Sequence, residues 1–162
     1  MYLPPNYVIL KVMKLYKNLV AITSQSEIIK LDKEHMIDDY SIISFRDEIE
    51  SYWDGLDRYD HIDIVFDDIN YKYIQEPYDN IFPQADDIAK FIIESIKKGK
   101  KILCKCSYGQ SRSAGCAAAI LEYYYGEGSL IFKDDNYHPN MIVFNKTLIA
   151  LLKQFKPYLF DK

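Results

Sequence analysis

Apolar residues recur along the chain with two different periods, and the switches between them mark out its elements. Asn18–Thr23 (Asn-Leu-Val-Ala-Ile-Thr) is a short apolar run that reads as a strand. A helix should follow, with Ser24 or Ser26 placed to cap it and Glu27 in its first turn, where a negative charge meets the positive pole. Asp39–Phe45 and His61–Phe66 are rich in β-branched and aromatic residues and predict two more strands, the second running into the acidic pair Asp67-Asp68. Pro83 is suited to open the next helix, because the first turn leaves its amide position unpaired anyway. Ala85, Ile88, Ala89, Ile92, Ile93 and Ile96 give that helix an apolar stripe, and Gly99 ends it. Lys101–Cys106 predicts a short strand. After a polar loop, the alanine-rich run Ala114–Tyr125 reads as a buried helix, and Pro139-Asn140 breaks the chain before a last helix over Met141–Phe155.

Strands alternating with helices imply an α/β fold, a mostly parallel sheet covered by helices on both faces. Ligands of such sheets bind beyond the carboxyl ends of the strands, and the loop after Cys106 lies at one of those ends. The 162 residues suit one domain over 1–162, with 49% hydrophobic and 27% charged residues as in ordinary globular chains. A net charge of -4 argues against nucleic acid as the partner, since phosphate backbones demand a basic face. Neither a basic leader with an apolar run nor a stretch of ~20 apolar residues is present, so no export signal and no membrane insertion are expected. Cys104, Cys106 and Cys116 are odd in number and crowded together, which fits a reducing cytoplasm better than a disulfide framework. Cys104-Lys105-Cys106 lacks the spacing and the nearby His of a zinc site, so no metal or cofactor is expected.

The chemistry concentrates in Cys106-Ser-Tyr-Gly-Gln-Ser-Arg112-Ser113. A strand delivers a thiol to its tip, a short loop curls over, and an arginine returns as a helix begins. In such a curl successive backbone amides converge on one point, making an anion nest at the positive end of a helix. Gly109 permits the crowded backbone of a tight curl. Only three of the 20 basic residues, Arg46, Arg58 and Arg112, are arginines, so the placing of Arg112 is informative. Its planar fork grips two phosphate oxygens at once, which a lysine cannot do. The same positive field favours the Cys106 thiolate, a nucleophile able to attack phosphorus.

These residues resemble the H-C-x5-R-[S/T] motif of the protein tyrosine phosphatase superfamily, in particular its compact dual-specificity branch and the small bacterial tyrosine phosphatase-like proteins. The resemblance implies Cys106 as nucleophile; Ser107, Tyr108, Gly109, Gln110 and Ser111 as the phosphate-binding loop, with Arg112 as clamp; and Ser113 as partner of the thiolate. It extends from about Asp39 to Phe155, with residues 1–38 matched loosely. Ile64-Val-Phe-Asp-Asp-Ile69 looks like the strand leading to the general-acid Asp, a role that falls on Asp68 ahead of Asp67 and Asp79. Pro139-Asn140, Phe144 and Leu148 look like the closing P-N-x3-F-x3-L helix, with Asn140 bracing the loop. Where the family carries His before its nucleophile, this chain has Lys105, whose side chain on a strand points away from that of Cys106.

The function implied is hydrolysis of phosphotyrosine, with phosphoserine and phosphothreonine as further substrates, through a cysteinyl-phosphate intermediate. A phosphorylated protein or peptide is the expected partner and a monomer the expected state. Two other readings stand beside it. A phosphoinositide phosphatase would want basic residues inside the loop, and Ser107–Ser111 has none. A weak or inactive phosphotyrosine-binding module rests on Lys105 alone. Smaller signals carry less: Tyr108 either walls the pocket or is a surface aromatic, Cys104 and Cys116 read as core, and Lys97–Lys101 as a solvated helix end.

Overall fold

The sheet is built around the strand that carries the motif. In a computed structural model, which describes residues 13–69 and 77–155, the strands are β1 (Leu15–Tyr16), β2 (Val20–Ser24), β3 (Tyr40–Arg46), β4 (His61–Val65) and β5 (Lys101–Cys106). Their order is β1-β2-β5-β3-β4; β1 pairs antiparallel with β2 and every other pair is parallel. The helices are α1 (Gln25–Lys33), α2 (Ala85–Lys97), α3 (Arg112–Tyr125), α4 (Ser129–Phe132) and α5 (Met141–Phe155).

Side chains alternate across the strands and sort into two cores. Val20, Ile22, Ile43, Phe45, Ile102 and Cys104 face α2, α3 and α5, meeting Ile88, Ile92, Ala117, Ile120, Val143 and Leu151. On the other face Ala21, Ile42 and Leu103 meet Ile28 and Leu31 of α1, with Ile37 and Leu56. Helices therefore cover both faces of a mostly parallel sheet, as the alternating pattern implies. Burying about 25 cal/mol per Å² of apolar surface on each face is what holds the layers together. Among the described residues no helix is long and apolar enough to cross a membrane.

Most boundaries fall within a residue or two of the pattern, and the exceptions have physical causes. The strand expected from Asn18 starts at Val20, because Lys17 and Asn18 both adopt left-handed φ (52° and 53°) and turn the chain back into β1. Such hairpin turns are signalled in sequence by Gly, which is absent here, so β1 goes unread. Ser24, not Ser26, caps α1, its hydroxyl accepting from the Glu27 amide at 3.2 Å. Pro83 does not open α2: Phe82 takes a left-handed φ of 55°, a turn follows, and the helix begins at Ala85. Gly99, also left-handed, follows its end.

Candidate functional site

Cys106 is the last residue of β5 and Arg112 the first of α3, so the loop between them hangs at the carboxyl edge of the central strand. Three of the loop's carbonyls are held by amides outside it. Ser107 accepts from the Gln25 amide (3.3 Å), Gln110 from the His138 amide (2.8 Å), and Ser111 from the amides of Gly115 (2.8 Å) and Asn140 (3.0 Å). With carbonyls anchored outside, amides turn inward: those of Gln110, Ser111 and Ser113 donate to Cys106. The Ser113 hydroxyl lies 3.0 Å from Sγ. Burial works to raise the Cys106 thiol, but Ser113 and these amides outweigh it and bring it below the ordinary thiol range.

Two glycines make the curl possible. Gly109 has a left-handed φ of 69°, and a Cβ there would sit 2.9 Å from the Thr23 backbone carbonyl. Gly115 lets α3 run against the start of α5, since a Cβ would come within 2.5 Å of the Asn140 carbonyl oxygen. Gly115→Ala should therefore push Asn140 from the loop and destabilise the fold by about 1–3 kcal/mol. Thermal unfolding checks this, and an unchanged midpoint would mean that the two helices do not pack this closely.

Arg112 is 3% exposed and spans the loop. Its Nη1 donates to Asp47 (2.7 Å) and to the Phe66 carbonyl (2.6 Å), and Nη2 to the Ser107 hydroxyl (3.2 Å). Its Nε is buried with no partner among the described residues. A donor so placed is costly to leave unpaired and suits an anion in the loop. Glu50 closes the ring, accepting from the Asp47 amide at 3.1 Å and from the Ser107 hydroxyl. Burial opposes the Glu50 carboxylate, but these hydrogen bonds prevail and hold it below its usual range. Burial raises the Asp47 carboxyl; Arg112 counters, and Glu50 adds to the upward direction.

Of the three acids considered, Asp68 touches the loop: its Oδ1 accepts from the Ser111 hydroxyl (2.7 Å) and from Asn140 Nδ2 (2.8 Å). Asp67 instead accepts from the Glu48 amide at 3.1 Å. Asp79 lines a separate groove with Lys146 and Ile149. Asn140 ties three elements together, since its Oδ1 also caps α5 by accepting from the amides of Ile142 (3.0 Å) and Val143 (3.1 Å). Tyr108 is 83% exposed, and Cys104 and Cys116 are wholly buried in the core. Lys105 points away from the loop's interior into the far face, where its Nζ meets Ser44 Oγ at 3.3 Å.

Asp47 and Glu50 were not singled out in the sequence. They follow β3, the strand beside β5 in a parallel sheet, so the rule that sites gather at carboxyl ends points to them once the strand order is known.

No protein-family model and no curated protein sequence matches the chain. Solved structures do. The leucine-rich-repeat and phosphatase-domain protein of Entamoeba histolytica superposes with a TM-score of 0.58 at 18% identity, over 90% of this chain and 94% of that one. The human tyrosine phosphatase-like serine/threonine/tyrosine-interacting protein gives 0.55 at 19%, over 91% and 97%. PTPMT1, solved with PI(5)P, gives 0.60 at 10%, over 91% and 99%. Sheet order, loop and helices together thus place this chain in the fold of the tyrosine and dual-specificity phosphatases.

Proposed function

We propose that this chain is a cysteine-dependent phosphatase acting on phosphotyrosine in proteins. The observation that carries the reading is the loop itself, with carbonyls tied outward, amides turned to Cys106, and Arg112 presenting an unpaired buried nitrogen. The Cys106 thiolate attacks phosphorus as the bond to the tyrosyl oxygen breaks, and that oxygen leaves with the Asp68 proton. Arg112 and the loop amides hold the equatorial oxygens of the transferring group. Water then attacks the cysteinyl phosphate and gives its proton to Asp68. The S–P bond breaks, and the departing thiolate is received by Ser113.

We favour phosphotyrosine over phosphoserine for its longer reach, since Cys106 is buried at the base of the loop. The fold neighbour solved with PI(5)P brings a phosphoinositide into view as a substrate. Here, however, the side chains around the loop are Asp47, Glu50 and Asp68, which disfavour a polyanionic head group.

Hydrolysis of an aryl phosphate in the presence of chelator tests the reading. Turnover is expected, and its absence at full occupancy of a phosphotyrosine peptide would make the chain a binding module instead. Asp68→Asn should slow release of phosphate from a phosphotyrosine peptide by about 10²–10⁴-fold and flatten the basic limb of the pH–rate profile. An unchanged profile would move the acid role to another carboxyl.

A further inference from the structure

Beyond β3 the chain makes a tight turn, Asp47-Glu48-Ile49-Glu50, closed by the Glu50 amide donating to the Asp47 carbonyl at 3.0 Å. Both ends of the turn hold the loop that follows Cys106. Asp47 accepts from Arg112 Nη1 at 2.7 Å, and Glu50 accepts from the Ser107 hydroxyl. A third tie runs from the Glu48 amide to Asp67 Oδ1, 3.1 Å away and just past the end of β4. The two central residues are thereby fixed beside the loop with their side chains in solvent: Glu48 is exposed, and Ile49 is 95% exposed. Turn centres ordinarily take Gly, Asn, Asp or Ser. Folding gives no reason for a branched apolar side chain at this one.

Charge around the loop is one-sided. Asp47, Glu50 and Asp68 each bond to the loop or to its arginine, and Glu48 and Asp67 stand next to them in the chain. Among the described residues, Arg112 is the one basic side chain that bonds to the loop. Its guanidinium lies between Asp47 and Ser107, and Asp47 neutralises part of its charge. Its Nε nevertheless is buried with no partner among the described residues, in a side chain closed off from solvent. The interior therefore calls for an anion while the rim repels one. A bare phosphate dianion meets that repulsion in full, whereas a substrate with cations beside its phosphate relieves it.

We propose that the turn Asp47–Glu50 is a specificity element, selecting phosphotyrosine peptides that carry Lys or Arg next to the phosphotyrosine. The aliphatic stem of that basic residue lies on Ile49 and its charged head meets Glu48. Long basic side chains behave this way on mixed surfaces, laying methylenes on apolar atoms while the charge stays in water. Acidic flanking residues meet the same carboxylates and are turned away, so one rim both attracts and excludes. The proposal rests on the reading of the loop as a phosphatase site and adds to it the class of peptide.

The test compares three phosphotyrosine peptides of one alanine-rich frame, flanked on both sides by Lys, by Ala or by Glu. At low ionic strength the kcat/KM of wild type should be about 10-fold higher for the Lys peptide than for the Glu peptide, with the Ala peptide between. The gap should narrow as salt is added. Glu48→Lys should close most of it, and Ile49→Ser should reduce it by about 2-fold. Both side chains are exposed, so neither change threatens the fold, and a ratio between peptides cancels any general change in rate. Equal rates for the three peptides, a preference for Glu, or a preference that Glu48→Lys leaves intact would overturn the proposal. Failure of the phosphatase reading has a different signature, no cleavage by wild type of these peptides or of aryl phosphate. Calorimetry with the same three peptides then decides, tightest binding of the Lys peptide upholding the proposal and equal binding overturning it.

Discussion

Cys106→Ser is expected to lower aryl phosphate hydrolysis by about 10⁴-fold or more while phosphate binding persists. The loop amides and the Ser113 hydroxyl, 3.0 Å from sulfur, bring a thiol below its ordinary range; the same donors facing an alcohol start from a group far too basic to ionise. Arg112 and the inward amides, the proposed anion-binding parts, are untouched by the change. A phosphotyrosine peptide should therefore bind Cys106→Ser in calorimetry with an affinity close to wild type, and remain uncleaved. Single-turnover wild type, quenched in acid-free conditions that preserve phosphoramidate and thiophosphate bonds, should carry phosphate on Cys106. Wild-type turnover by the serine variant would remove the covalent mechanism altogether.

What could be read beforehand divides along a physical line. Periodicity places helices and parallel strands because burial imposes it, so β3, β4, β5, α3 and α5 lie where apolar residues put them. The short motif Cys106–Ser113 is equally legible, since its residue types are scarce and its spacing is local. Contacts made by residues far apart in the chain are another matter. Asp47 lies 65 positions from Arg112, and Asn140 72 from Asp68. Those pairs meet only because β3 lies beside β5 and because α5 runs across α3 at Gly115. Neither strand order nor helix crossing has a signature in one sequence.

Lys105 shows the same division within a single residue. Alternation along β5 correctly turns its side chain away from Cys106, and Leu103 and Lys105 do share the far face. That the position is 2% exposed, and that Ser44 and Asp63 complete a row with it, depends on the registers of two neighbouring strands.

The second large effect is expected for Arg112→Lys, a change that keeps the charge and loses the fork. Arg112 meets Asp47, the Phe66 carbonyl and the Ser107 hydroxyl through two nitrogens and keeps Nε in reserve. One ammonium cannot satisfy all three and also grip an oxygen of the transferring group. The kcat/KM for aryl phosphate should fall by about 10²–10³-fold, the usual loss when a transition-state donor is removed. Thermal unfolding separates lost chemistry from lost structure. Inorganic phosphate should raise the wild-type midpoint in proportion to the logarithm of its concentration, because it binds the folded chain alone. Arg112→Lys should start lower, with the Phe66 carbonyl and Asp47 less well satisfied, and should show little rise on adding phosphate. If it keeps both the wild-type rate and the phosphate-dependent rise, the arginine holds the loop's walls together and does not hold the anion.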